Sequence, residues 1–169
     1  FVGLAQRNRV LLQMHIDPDP CTAWFDKNKL ESIIFNLVSN AIKFSPLDGI
    51  VAFKAKIEAT VTAKLLTIEI RNTGTPIPEP LQSRVFERYF QLEVPNGKLN
   101  QGTGIGLSIV KDYVEFLGGN ITLASNPQWT TFSVQLPIQT VNVATEAHDN
   151  ANQGRPCILV LEDDADFMQ

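Results

Sequence analysis

Asn36, Asn40 and Lys43 stand at i, i+4 and i+7 in the run KLESIIFNLVSNAIKFSP (Lys29–Pro46). On a helix with 3.6 residues per turn these side chains fall on one narrow face, each about one turn above the last. Leu30, Ile33, Ile34, Leu37 and Ala41 form an adjacent apolar stripe that would face a core. Two carboxamides and an ammonium along the seam between core and solvent suit a cation carrying a phosphate chain. Amide oxygens can ligate a hard ion, and the lysine can meet phosphate charge. Taken alone, the helix fits an ordinary polar flank equally well, and the downstream residues must decide.

QGTGIGLSIVK (Gln101–Lys111) is a glycine-rich turn running straight into a helix. Gly102, Gly104 and Gly106 let the backbone approach a ligand closely, and the amides at a helix N-terminus favour an anion. A long polar stretch precedes the turn, where a dinucleotide fold would place a strand, and no GxxxxGK[ST] P-loop occurs. Asn72 and Gly74 lie at the end of a strand, where side chains and bare backbone can face a pocket. Ile77 and Pro78 would supply its apolar wall. Cys21 and Cys157 are far apart, with no metal-ligand spacing and only His15 and His148 for company. Two free thiols in a reducing compartment are the expected state.

The elements that must position these residues alternate. Arg9–Ile16 and Ala23–Asp26 read as strands on either side of the turn-rich DPDP, Asp17–Pro20. Asp26 is a good N-cap for a helix that runs to Phe44 and stops at Ser45-Pro46. Val51–Thr60 and Thr62–Arg71 read as long strands joined by a tight turn. After the proline-studded loop Asn72–Pro80, a helix is expected over Leu81–Phe90 and a mobile loop over Gln91–Gln101. Ile105–Leu117 has helical spacing and ends at Gly118-Gly119, a C-cap signal. Ile121–Ala124 and Thr131–Leu136 close the set as strands. Strands grouped around three helices predict a two-layer α/β sandwich with a mixed sheet.

Composition agrees with one core. The chain has 169 residues, 44% hydrophobic and 19% charged, which is enough for one domain and little more. A formal net charge of −4 and the absence of any Lys/Arg block argue against a nucleic-acid surface. No apolar run reaches membrane-spanning length, and a chain opening on Phe1 reads as an excised piece.

In order and spacing these motifs resemble the catalytic, ATP-binding domain of sensor histidine kinases. Those belong to the superfamily shared with gyrase, heat-shock chaperone and mismatch-repair ATPases. NLVSNAIKF (Asn36–Phe44) resembles the family's N box, VFERYFQ (Val85–Gln91) its F box, and GTGIGL (Gly102–Leu107) matches its second glycine box. The resemblance covers Phe1 to about Pro137 and implies a Bergerat-type ATP-binding fold. It implies ATP and Mg²⁺ as ligands. Asn40 would ligate the ion and Asn36 support it, Lys43 would meet phosphate, and Phe44 would lie near adenine. Asn72 would accept from the adenine amine, beside Gly74, Ile77 and Thr130. Gly102, Thr103, Gly104, Ile105, Gly106 and Leu107 would present amides to phosphate and hinge the lid. Arg88 would reach toward phosphate, Phe86 and Phe90 would anchor the lid, and Lys98 reads first as a solvated lysine.

Departures concentrate at the adenine end. Where the family's first glycine box reads Asp-x-Gly-x-Gly, this chain has Asn72-Thr73-Gly74-Thr75-Pro76. The amide adds a donor and loses a charge, and Pro76 removes an N–H. Of the third glycine box only Thr130 survives, with Pro127 and Trp129 among its replacements.

Residues 1–138 are therefore expected to form the ATP-binding domain and 139–156 a linker. Residues 157–169, beginning CILVLEDDADF, resemble the first strand of a receiver domain, with Glu162 and Asp163 as its Mg²⁺ pair. The resemblance implies a hybrid kinase, homodimeric through helices that precede this chain and carry the phosphoacceptor histidine. It also implies a cytoplasmic domain, with any membrane anchor of the parent in segments outside this chain. No catalytic acceptor is expected within the chain, since neither His15 nor His148 has a phosphoacceptor-like setting. The rival expectation is a degenerate module of the same fold that binds nucleotide poorly and signals through domain contacts.

Overall fold

The computed structural model describes residues 1–17, 23–59, 64–92 and 102–140. Lys98 and most of the expected lid lie outside the described residues, as do Cys21, Cys157 and His148. The expected linker beyond residue 140 and the Glu162/Asp163 pair lie outside them too.

Three long strands form the centre of the sheet: β3 (Ile50–Ala59), β4 (Lys64–Asn72) and β6 (Thr130–Thr140). Each alternates apolar and polar residues, so period-two geometry gives it one core face. Register aligns those faces. Ile70 sits between Phe53 and Phe132, Ile68 between Ala55 and Val134, and Leu66 between Ile57 and Leu136. Asn72 ends this row, between Val51 and Thr130. β1 (Leu11–Ile16) pairs parallel with β3, whereas the pairs within β3–β4–β6 are antiparallel, so the sheet is mixed. The six strands run β1-β3-β4-β6-β2, and β5 (Asn120–Ser125) also pairs with β6. β2 is only Ala23–Trp24. Pro137 interrupts β6 between the end of its β5 pairing at Gln135 and the start of its β2 pairing at Gln139, an open stretch of edge that tolerates proline.

Two helices cover the core face. α2 (Lys27–Phe44) buries Leu30, Ile33, Leu37, Val38, Ala41 and Ile42, and α4 (Gly106–Phe116) buries Val110 and Val114. Ile34, expected in the α2 stripe, is only half-buried; Val38 and Ile42 widen it instead. Each fully buried aliphatic side chain contributes about 1.5–3 kcal/mol. An exposed i,i+4 pair such as Lys27–Glu31 (3.6 Å) adds only about 0.2–0.5. Packing therefore holds α2 in place. The caps then set its ends. Asp26 Oδ1 accepts from the Lys29 amide at 3.1 Å, and the Asp26 carboxylate also pairs with the Lys29 ammonium, which lowers its pKa. The two-layer α/β sandwich with a mixed sheet is the architecture the sequence implies.

Three local expectations need correction. Residues 2–8 form a helix, α1 (Val2–Asn8), that the sequence reading left unassigned; Arg9, at φ 52°, ends it and delays β1 to Leu11. β2 stops at Trp24, since Asp26 is committed to capping. The expected helix Leu81–Phe90 is instead α3 (Glu79–Gln82) followed by a 3-10 turn, Arg84–Phe86. Tyr89 takes the left-handed φ of 66° and gives its amide to Gly104 O at 2.8 Å, which removes it from any helical ladder.

Candidate functional site: a polar seam along helix α2

Asn36 is half-buried, and its Nδ2 donates to Ser32 O at 2.8 Å, with Ser32 Oγ at 3.4 Å. Its oxygen therefore faces the other way, toward the start of α4. A Cβ added to Gly106 would stand 2.7 Å from Asn36 Oδ1. A Cβ added to Gly102 would stand 3.0 Å from Lys43 Nζ. The α2 face and the glycine-rich turn therefore meet at contact distance along one seam. α4 opens on that seam without a side-chain cap, and its first intrahelical bond to Ile105 comes only from Ile109 N. The amides of Gly106, Leu107 and Ser108 precede that bond, at the positive end of the helix dipole.

Burial lowers the Lys43 pKa although the residue's outer surface is exposed. Its ammonium lies 4.7 Å from the Phe44 ring centroid, a cation–π contact. An ammonium partly stripped of water beside bare backbone amides is a place for an anion. Asn40 is half-buried, and among the described residues its carboxamide makes no hydrogen bond.

The other end of the seam is built where α2 stops. A Cβ on Gly74 would meet Phe44 O at 2.6 Å and Asn72 Nδ2 at 3.4 Å, so the Asn72–Gly74 turn packs directly on the helix end. Thr73 is clamped to β3: its amide donates to Ile50 O at 3.0 Å, and its Oγ1 accepts from Ile50 N at 2.9 Å. Asn72 is 5% exposed and donates through Nδ2 to Thr73 O at 2.9 Å. A carbonyl there admits only the NH₂ side of the carboxamide. One of the two N–H donors that asparagine adds is therefore engaged internally, and Oδ1 accepts no hydrogen bond among the described residues. Across the register, Thr130 is also buried, and its Oγ1 lies 2.7 Å from Ser125 Oγ. Ser125 Oγ accepts from Ile77 N at 2.8 Å, and Gln82 Nε2 donates to Ile77 O at 3.0 Å.

Gly104 closes the middle. Its φ is 69°, and a Cβ there would lie 2.8 Å from the Tyr89 backbone. Gln91 Nε2 donates to Gly102 O at 2.9 Å. Phe86 makes an edge-to-face contact with Phe132, 6.2 Å between centroids, which fixes this segment to the core.

The structure thus brings Asn36 and Lys43 to Gly102 and Gly106, and Phe44, Gly74, Asn72 and Thr130 to one another. Thr103 is exposed, Ile105 occupies the N-cap position, and Leu107 packs half-buried on the core. Ile77 is half-buried at the wall. Arg88 goes elsewhere, into an exposed ion pair with Asp112 at 3.0 Å, and Phe90 lies under the Arg84 guanidinium at 4.7 Å. Ser32, Gln82 and Ser125 are absent from the sequence reading. Ser32 could have been found from its i−4 spacing to Asn36; Ser125 required the β5–β6 register. Among the described residues no group of three or more His, Cys, Asp or Glu could hold a metal. Carboxamides, an ammonium and unbonded helix-end amides are groups whose chemistry suits an anion.

Residues 25–140 match the family model described as histidine kinase-, DNA gyrase B- and HSP90-like ATPase. The chain is 37% identical over 139 residues to the sensor histidine kinase TmoS of Ectopseudomonas mendocina, covering 82% of this chain and 14% of that protein. It is 34% identical over 140 residues to hybrid signal transduction histidine kinase D of Dictyostelium discoideum, covering 82% of this chain and 9% of that one. The chain thus spans a small part of the curated relatives it matches. Its fold superposes on the catalytic domain of histidine kinase ThkA with a TM-score of 0.69 at 25% identity, over 81% of this chain and 84% of that one. Among the described residues no helix is long and apolar enough to cross a membrane. Motif order, fold and relatives agree: the chain belongs to the histidine kinase-, gyrase- and HSP90-like ATPase family, as the catalytic ATPase domain of a histidine kinase.

Proposed function

We propose that this chain binds Mg·ATP along the α2 seam and presents the γ-phosphate to a histidine on dimerisation helices that lie outside it. The triphosphate would lie over Asn36, Asn40, Lys43 and the start of α4, with the base toward Asn72 and Thr130. One observation carries the reading: Asn36 Oδ1 and Lys43 Nζ stand 2.7 and 3.0 Å from the positions that Cβ atoms would fill on Gly106 and Gly102. The carboxamide and ammonium heads there lie against bare glycine backbone, which aligns the groups that would meet phosphate. Mg²⁺ fits the donor set, because Asn36 has spent its NH₂ on Ser32 and turns an oxygen to the seam. Asn40 would be the direct ligand and Asn36 its support. The bound ion would neutralise phosphate charge, and the chain's own part is positioning and electrostatic stabilisation.

The parent would be a hybrid sensor kinase of a two-component pathway, homodimeric and cytoplasmic in this part. Residues 1–138 would be its ATP-binding domain, 139–156 a linker, and 157–169 the start of a receiver with Glu162 and Asp163 as metal ligands. A second reading, a nucleotide-poor regulatory module, is motivated by Asn72, Pro76 and the altered third glycine box. Those changes leave the phosphate end intact, which favours the first reading. Titration with a fluorescent ATP analogue, with and without Mg²⁺, separates the two. Saturable, Mg-dependent binding supports the first, and no binding by the folded chain establishes the second.

A further inference from the structure

We infer that Lys29 is a positioning residue that fixes the axial register of α4 against α2, and with it the spacing of the groups proposed to meet phosphate. Its consequence for a ligand rests on the Mg·ATP reading above and deepens it. Lys29, Asn36 and Lys43 are seven residues apart, two helical turns, so they share one stripe of α2. Each meets α4 or the turn leading into it: Lys43 at Gly102, Asn36 at Gly106, and Lys29 at Tyr113 and Phe116. The two helices therefore run antiparallel. Gly106 to Tyr113 on α4 matches Asn36 back to Lys29 on α2, seven residues each, about 10 Å. Lys29 Nζ lies 4.7 Å from the Phe116 ring centroid and 5.9 Å from that of Tyr113, within cation–π range. Asp26 holds the same lysine twice, accepting from its amide at 3.1 Å and pairing with its ammonium. α4 has no basic residue in its own last turn, where the helix dipole favours a cation, and Lys29 brings one there from α2. Phe116 is 73% exposed, so its ring adds little to the core; what it meets is the ammonium. Val110 and Val114 seat α4 on the core, but apolar burial is non-directional. Lys29 supplies a directional contact at the end of α4 away from the glycine-rich turn. Because a Cβ added to Gly106 would stand only 2.7 Å from Asn36 Oδ1, a small axial slide of α4 alters how Asn36 and Lys43 face the amides of that turn.

The test uses the whole chain with Lys29→Met, Lys29→Arg and Phe116→Leu. Lys27→Met, which removes an ammonium paired with Glu31 on α2 itself, is the control. Amide chemical shifts are read by NMR and Mg·ATP affinity by calorimetry, with melting curves to show that each variant is folded. K29M and F116L should each shift the Gly102, Gly104 and Gly106 amides and leave those of β3, β4 and β6 in place. Each should weaken Mg·ATP about two- to fivefold, the equilibrium equivalent of one exposed cation–π contact. The double variant should be no weaker than either single one. K29R, whose guanidinium also stacks on aromatic rings, should restore both readouts, and K27M should move neither. If K29M does not fold, F116L, at an exposed ring, carries the same comparison. Unmoved glycine amides in the folded variants overturn the inference. So does a loss in K29M that F116L does not share, which would place the effect in the Asp26 cap. A wild-type chain that binds no Mg·ATP overturns the nucleotide reading instead, and the glycine amides then decide the register of α4 by themselves.

Discussion

At the scale of single residues, the ligand roles proposed for Lys43 and Asn40 can be tested apart from any part these residues play in the fold. Burial lowers the Lys43 pKa from its usual 10.5, so the charged form costs stability in the free protein. Between that lowered pKa and 10.5 the unfolded chain binds more protons than the folded one, so stability rises with pH there; below it the cost is constant. A phosphate beside the ammonium would reverse the balance. Lys43→Met should therefore leave the melting temperature unchanged or slightly higher while weakening Mg·ATP about 10- to 100-fold, the range of a charge-assisted hydrogen bond. In the wild type, ATP affinity should fall as pH rises through the lowered Lys43 pKa, earlier than an ordinary lysine would cause; calorimetry from neutral pH upward checks it. Asn40→Ala should abolish the Mg-dependent part of ATP binding and leave the melting curve in place, since its carboxamide supports no hydrogen bond among the described residues. Retained Mg dependence in folded N40A would remove Asn40 from the ion's ligands.

At the scale of elements, helix ends decide how much of the site could be read in advance. Asp26 and the Gly118-Gly119 pair announce the start of α2 and the end of α4, because caps act through short-range bonds that a sequence displays. The α4 end is a Schellman arrangement: Gly118 N donates to Glu115 O at 3.0 Å and Gly119 N to Val114 O at 2.9 Å. The two glycines serve different ends. Gly118 needs its φ of 72° but has open space, its added Cβ meeting only Pro137 Cγ at 3.7 Å. Gly119 has an ordinary φ, but a Cβ there would collide with Gln135 O and stand 2.6 Å from Leu136 Cδ2. Gly118→Ala should thus cost about 1–2 kcal/mol, the left-handed penalty. Gly119→Ala should cost more, because backbone of β6 must move, and urea denaturation of the pair gives the order. The F-box region was not legible for the converse reason. Its fold depends on a non-local bond from Tyr89 N to Gly104 O and on Phe86 meeting Phe132, contacts that local helical spacing does not contain. Arg88 illustrates the same limit: sequence order placed it near the phosphate motifs, but Asp112 on α4 takes it.

At the scale of the whole molecule, the proposed nucleotide seam and the histidine of β1 lie on different elements. His15 is exposed on β1, in register with Lys54, whereas the residues proposed to meet phosphate lie on α2 and at the start of α4. Phosphoryl transfer needs the nucleophile in line and within about 3–3.5 Å of the reacting atom. His15 is held on the edge strand β1 by six ladder pairs to β3, from Leu11 to Ile16, which ties it to that side of the sheet. The chain incubated alone with γ-labelled Mg·ATP should therefore acquire no acid-labile phosphate over a period in which ATP binding is saturated. Adding the parent's dimerisation helices as a separate polypeptide should place label on that polypeptide only, and K43M or N40A should reduce the labelling in proportion to their loss of ATP affinity. Label mapped to His15 or His148 would show that the acceptor lies within this chain and that the division of labour proposed here is wrong. Labelling of the added helices that survives N40A undiminished would separate transfer from the α2 seam and move the nucleotide elsewhere on the domain.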